Sequence, residues 1–234
     1  MKKIIKSFVT TTIALVGLYL LSFFKINTIV YAKPASFSLF SLAPAWSMIF
    51  QLPFALCALV TSLFLKAGFS LYSITLGLPT MAATVTLDTF SSRSAYAKLL
   101  QKFFLVLLPL SCIVAFALHP VGMQAMGYSS YWIIPLIVYA FHRRNASSLF
   151  LRALASTFVA HAVGGAMWLY FVPSTPAQWL ALIPVVALER ITIALGISGI
   201  VVLTKMLFTP TQWRTLFKKA HTAVLILNTS KHSQ

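Results

Sequence analysis

Acidic residues are almost absent from this chain. Of its 234 residues, 18 are lysine or arginine and only Asp88 and Glu189 are acidic, which gives a formal net charge of +16 at pH 7. Two carboxylates leave little material for paired-carboxylate catalysis or for a carboxylate-rich metal site. The motifs GxxxxGK[ST], HExxH and GxSxG do not occur either. The sequence therefore argues against an ATP-hydrolysing protein and gives no support for a hydrolase of these classes.

Cysteine is nearly as rare. Cys57 and Cys112 each stand alone in an apolar segment, without a CxxC pair or a nearby group of histidines. This pattern favours two buried thiols over a disulfide or a zinc site. We predict no metal and no cofactor.

The chain is rich in apolar residues and poor in charged ones. Hydrophobic residues make up 59% of the chain and charged residues 9%, and the mean hydropathy is +0.90. Several windows approach or exceed the roughly 17–25 apolar residues that a helix needs to cross a bilayer. The windows are 7–24, 45–65, 69–87, 103–118, 128–141, 149–172 and 180–207. We predict an all-α integral membrane protein with about six transmembrane helices, forming one multi-span domain over residues 1–208.

The basic residues indicate an orientation. A soluble protein of this charge would suggest nucleic acid, but no polar domain is present to carry a basic face. In membrane proteins, lysine and arginine collect in cytoplasmic loops. If windows two to seven each cross once, three basic groups share one side: Arg93 to Lys102, Arg143 with Arg144, and Arg214 to Lys219. This predicts a multi-pass protein of the plasma (inner) membrane, in contact with lipid and not with nucleic acid.

Both ends of the chain leave alternatives open. Residues 7–24 can span the bilayer, lie in its interface or form a cleaved signal peptide, and we favour a retained helix. If this window crosses and 128–141 does not, the segment from Arg93 to Lys102 falls on the outer side. At the other end, residues 209–234 are predicted to form a basic amphipathic tail on the cytoplasmic surface.

The most unusual feature is the pair Glu189 and Arg190 inside the last apolar window. Counting from Lys205 at about 1.5 Å per residue, Glu189 lies about 24 Å into the bilayer. Trp168 reaches the same depth when it is counted from Arg152, and His161 lies about 13 Å in. Ionisable groups at such depths often mark a pathway or a binding site. The candidate substrate-binding residues are Glu189, Arg190, Trp168, His161 and Tyr170.

Each of these residues also has an ordinary structural interpretation. Arg190 can turn outward or pair with Glu189, so that the two stabilise the bundle. A single histidine in an apolar helix is more often a packing residue than a ligand. Trp168 and Tyr170 can belong to the aromatic belt at a membrane interface.

Two segments resemble a known family. IPVVALERITIALGISGIVVLTKML, residues 183–207, is similar to the last helix of the S components, the substrate-capturing subunits of energy-coupling factor vitamin transporters. LVTSLFLKAGFSLYSITLGLPTMAA, residues 59–83, is similar to a helix pair of the biotin-binding branch. The pattern covers residues 45–207. The first helix departs from the family pattern, because it offers only Ala14 and Leu18 where an alanine-spaced contact with the coupling subunit is expected.

The resemblance implies a function. It implies capture of a vitamin-like or related nutrient from outside, with a coupling membrane subunit and separate ATPase subunits as partners. Arg190 would then hold a carboxylate, and Glu189 a ring nitrogen or an amine. The alternatives are a noncatalytic membrane scaffold or assembly protein and, with less support, a membrane enzyme that acts on a lipid.

Overall fold

The computed structural model describes residues 2–30, 33–68, 71–92, 94–144 and 147–207. These residues are predominantly helical, as predicted. The helices are α1 Lys2–Leu21, α2 Ala45–Phe50, α3 Leu52–Ala67, α4 Leu71–Thr89, α5 Ala95–Lys102, α6 Leu108–Leu118, α7 Pro120–Gln124, α8 Met126–Ser129, α9 Ile134–Arg144, α10 Leu149–Phe171 and α11 Pro176–Leu207. Short 3₁₀ turns cover Leu39–Leu42 and Ser130–Ile133, and a π-helical turn covers Phe103–Leu107. The predicted tail, residues 209–234, lies outside the described residues.

One β-hairpin departs from the all-helical prediction. Strand β1, Lys25–Val30, pairs with strand β2, Lys33–Ser38, in an antiparallel register that places Lys25 opposite Ser38. The stretch carries Ile26, Thr28 and Ile29, and β-branched residues favour extended structure. The hairpin follows the first apolar window, and its short length gave no periodicity by which to recognise it.

Three helices in the described part of the chain are long and apolar enough to cross a membrane. They are the continuous helical segment Ala95–Leu118, the helix Leu149–Phe171 and residues Pro176–Met206 of α11, while Thr11–Leu21 and Leu52–Leu65 are shorter apolar helices. On the first of these, large apolar side chains face outward along one stripe, as expected for contact with lipid. They are Phe103, Leu107, Leu110, Val114 and Leu118. The count of six spans stays a prediction.

One of the predicted windows contains a break, and another begins with a wider helical turn. Residues 45–65 are divided between α2 and α3 by Gln51, whose backbone has a positive φ of 73°. Residues 95–118 stay helical through the π-helical turn, in which the Leu108 amide donates to the Phe103 carbonyl. Pro109 lacks an amide hydrogen and disturbs the regular ladder just before it, so the wider turn accommodates it.

Several helix ends with basic residues meet at one end of the bundle. Gln101 of α5 donates to the backbone of Thr89 at the end of α4, with N and O 2.9 Å apart. Phe90, just after α4, contacts the ring of His142 in α9 and lies 5.9 Å from the Arg152 guanidinium of α10. These helix ends carry the basic residues Lys98, Lys102, Arg143, Arg144 and Arg152.

The contact between these helix ends bears on the orientation of the chain in the membrane. The end of α4 and the end of α9 lie together, so the alternative that separates the segment before Lys102 from Arg143 and Arg144 by the bilayer does not fit the structure. Arg93, Arg214, Lys218 and Lys219 of the predicted basic groups lie outside the described residues. We call this end of the bundle the basic end.

An aromatic cluster forms the core at the opposite end. Phe116 of α6 stacks on Tyr128 and makes edge contacts with Trp132 and Trp179, with ring centroids 5.2 to 5.8 Å apart. All four side chains are buried. Such packing fixes the ends of α6 and α11 on α8 and so determines the shape of the space beside α10.

Candidate functional site

A cavity of about 350 Å³ opens between α4, α8, α10 and α11, with the segment before α2 as a further wall. This volume lies near the lower end of the range of roughly 300–1,000 Å³ that is usual for small-molecule pockets. Helix α10 contributes more lining residues than any other element. His161, Gly164, Gly165 and Trp168 are spaced three and four residues apart, so they share one face of this helix.

The glycines of α10 allow two neighbours to come close. A Cβ atom at Gly165 would lie 2.8 Å from the Trp132 ring and 3.6 Å from the Tyr128 ring, while one at Gly164 would lie 3.4 Å from the Pro79 side chain. Small residues here therefore let the aromatic core and α4 approach α10. The space that is left between α10, α4 and the aromatic core forms the cavity.

The other walls are aromatic or weakly polar. Tyr128 and Trp179 come from the aromatic core, Pro79 and Thr80 from α4, and Ser41 from the segment before α2. Tyr128 also packs on the His161 ring, with centroids 5.2 Å apart. Aromatic walls with a few polar groups are typical of sites for small, flat ligands.

Arg190 is the charged group of the cavity. Its Nη2 lies 2.7 Å from Oε2 of Glu189, and the two side chains are only 13% and 21% exposed. Its Nη1 donates to the backbone carbonyl of Thr157 in α10 at the long distance of 3.5 Å. The carboxylate compensates the guanidinium charge, and the long bond to Thr157 leaves a donor that a closer acceptor can use.

Two nitrogens at the cavity have no hydrogen-bond partner in the part of the chain that the structure describes. They are Nε of Arg190 and Nε2 of His161, and both atoms are buried. A third such atom, Nε1 of Trp132, belongs to a residue outside the lining. Buried polar atoms are normally satisfied, and these two nitrogens have no accessible surface through which the cavity could supply a partner.

The structure brings together three of the five predicted site residues. His161, Trp168 and Arg190 line the cavity. Glu189 does not line it and contacts the cavity through Arg190. Tyr170 lies elsewhere: its hydroxyl donates to the backbone carbonyl of Ala115, 2.8 Å away, and its ring packs against His119.

Sequence reasoning missed part of the site. Tyr128 belongs to a window that the sequence indicates only as a transmembrane segment, and Trp179 lies between two windows. The GLP segment of α4 supplied the resemblance but not the expectation that Pro79 and Thr80 face α10. A spacing of four between Tyr128 and Trp132 is a signal of a shared helical face, but it does not show which helix that face meets.

The described residues also bear on metal binding and on the first helix. They contain no group of three or more histidine, cysteine, aspartate or glutamate side chains that could hold a metal ion. Ala14 and Leu18 are fully buried, and the backbone carbonyl of Ala14 accepts a hydrogen bond from Nε1 of Trp46. Ala14 therefore contacts α2, and both residues share a buried cluster with Ala58 and Leu59 of the chain's own α3.

Comparison with protein-family models, curated proteins and solved structures finds no match to this chain. The resemblance to S components thus stays a prediction that depends on the two sequence segments alone.

Proposed function

We propose that this chain is a multi-pass membrane protein that serves as the substrate-binding component of an uptake transporter for a vitamin-like or related nutrient. The observation that carries the proposal is the cavity between α4, α10 and α11, which Arg190 and His161 line together with aromatic side chains. A ligand with polar atoms would contact these two residues and fill the space between the aromatic walls.

The position of the cavity supports capture from outside. Trp168 is sixteen residues from Arg152, which is about 24 Å along a helix, and Arg152 lies at the basic end. If the basic end faces the cytoplasm, as the distribution of lysine and arginine favours, the cavity extends from the inner half of the bilayer at His161 to the outer half at Trp168. No segment of the chain carries an ATP-binding motif, so the energy for transport would come from partner subunits.

A scaffold is the second candidate, and one observation favours it. The Glu189–Arg190 ion pair is complete within the chain, with its two atoms 2.7 Å apart. The pair lies within α11, and Arg190 also donates to the Thr157 carbonyl of α10, so a purely structural role in packing α11 on α10 accounts for both charged groups. A scaffold, however, gives no account of the cavity.

The test is ligand-induced thermal stabilisation of the purified, detergent-solubilised protein against vitamins, nucleobases and amino acids. A ligand that binds the folded state raises its apparent stability by mass action. We expect at least one compound to raise the melting temperature of the wild type but not of Arg190→Ala or Gly164→Val. Gly164→Val narrows the cavity without touching the ion pair.

Leu203→Ala is the matched control, because Leu203 is exposed on α11 and does not line the cavity. This variant should respond to the ligand as the wild type does. If a well-folded wild type responds to no compound, the scaffold interpretation replaces the transporter.

A further inference from the structure

The charge of the cavity determines what kind of ligand fits it. Arg190 is the basic residue that lines it, and its guanidinium is already paired with Glu189 at 2.7 Å. The pair is neutral as a whole and lies in a largely apolar surrounding. A ligand carboxylate would add a negative charge beside the Glu189 carboxylate, and in an apolar medium an uncompensated charge is costly.

Arg190 specifies a polar atom of the ligand. The guanidinium nitrogens are donors only, so a ligand atom that contacts them must be an acceptor such as a carbonyl oxygen or a ring nitrogen. Nη1 makes only a long hydrogen bond of 3.5 Å to the Thr157 carbonyl, so it can exchange that bond for one to a closer acceptor. The ligand therefore needs at least one neutral acceptor atom.

The walls specify its shape. Tyr128, Trp168 and Trp179 line the cavity. Aromatic walls favour a flat ring over a branched aliphatic chain. A volume of about 350 Å³ suits a compound of one or two rings better than a lipid.

We infer that the cavity selects a neutral, planar heteroaromatic molecule whose carbonyl or ring nitrogen accepts a hydrogen bond from Arg190, with Glu189 acting to exclude anionic analogues. This inference depends on the proposed capture function and specifies its substrate class. It differs from the sequence-based expectation of a carboxylate on Arg190, because the structure assigns that position to Glu189.

The experiment compares matched pairs of ring compounds on the full-length protein in detergent. Nicotinamide and nicotinate share a ring and differ in charge, as do uracil and orotate. Binding is measured by thermal stabilisation over a range of concentrations. We expect the neutral member of at least one pair to bind more tightly than its carboxylate partner, by a factor of about ten or more. This factor is the effect of one hydrogen bond to the neutral ligand and of the unfavourable placement of a ligand carboxylate near Glu189.

The variant Glu189→Gln gives the sharper result. It leaves the Arg190 charge without its compensating carboxylate, so the preference within the same pair should reverse by about tenfold or more toward the carboxylate. Leu203→Ala should keep the wild-type preference. If Glu189→Gln does not fold, the comparison of paired compounds on the wild type still decides the inference.

The outcomes separate the two proposals. Tighter binding of nicotinate or orotate to the wild type would overturn the neutral-ligand inference and leave the capture function in place. Stabilisation by amino acids or other nonplanar compounds alone would do the same. A folded wild type that binds none of the compounds would overturn both proposals. An unchanged preference in Glu189→Gln would remove Glu189 as the residue that excludes anions.

Discussion

At the scale of single residues, the pair Glu189 and Arg190 has two roles that experiments can separate. The carboxylate neutralises the guanidinium, and the guanidinium places donors at the cavity and near the Thr157 carbonyl of α10. Neighbouring residues on a helix point about 100° apart, so their contact requires that both side chains bend toward each other. The sequence shows that the two groups are adjacent, but not that they bond to one another.

A double-mutant cycle measures the coupling free energy between Glu189 and Arg190. Glu189→Gln and Arg190→Met should each lower the free energy of unfolding by about 1–3 kcal/mol, below the 3–5 kcal/mol of a fully buried pair because both groups are partly exposed. The double variant should lose less than the sum, since neither charge remains alone. Unfolding in detergent provides the measurement, and strict additivity of the two losses would show that the pair does not couple.

At the scale of elements, α10 can approach its neighbours closely because it carries glycines at the contacts. The two glycines of α11 differ from each other in this respect. Gly165 has the Trp132 ring within 2.8 Å of its Cβ position, and Gly196 has the side chain of Leu42 within 2.7 Å. At Gly199 no atom lies within 4 Å among the described residues. The GISG spacing in α11 therefore marks one packing position instead of two.

Two alanine substitutions test this difference. Gly165→Ala should destabilise the protein by about 1–3 kcal/mol, because the added methyl group pushes against a buried ring. Gly199→Ala should be neutral or stabilise it by up to about 1 kcal/mol, since alanine is the better helix former and has room. Thermal unfolding of both variants under identical conditions gives the comparison. Equal losses at the two positions would contradict the packing described for α10.

At the scale of the whole molecule, the bundle has a basic end and a cavity placed toward the other end. Arg144 is the last residue of α9 at the basic end, and Ala177 lies in the first turn of α11 near the far end of α10; both residues are exposed. The large apolar side chains along the segment Ala95–Leu118 are exposed as well. Arg144 and Ala177 therefore mark the two ends of the bundle at accessible positions.

Cysteine labelling tests the orientation. In a background in which Cys57 and Cys112 are replaced, Ala177→Cys should react with a membrane-impermeant thiol reagent on intact cells. Arg144→Cys should react only after the membrane is opened, because positively charged loops remain cytoplasmic. The reverse pattern would place the cavity on the inner side and contradict capture from outside.

The limits of sequence reasoning are visible in particular residues. Long apolar windows located α1, α4, α10 and α11 to within a few residues, because a helix that faces lipid on one side requires a long apolar run. The strands on either side of residues 31–32 and the break at Gln51 escaped notice, since short elements leave no period to detect. Tyr170 was grouped with the site because it is near Trp168 in sequence, yet its side chain points to α6.

By itself, the sequence determined that the chain is helical and apolar, where its basic groups lie, and that Glu189 and Arg190 stand inside a long apolar segment. These properties follow from composition and from local periodicity, which need no knowledge of neighbours. Only the tertiary structure decided that Arg190 faces His161 and Trp168 across a cavity, and that Glu189 neutralises Arg190 and does not line the wall. These facts depend on how α4, α8, α10 and α11 pack against one another, and such packing joins residues that are far apart along the chain.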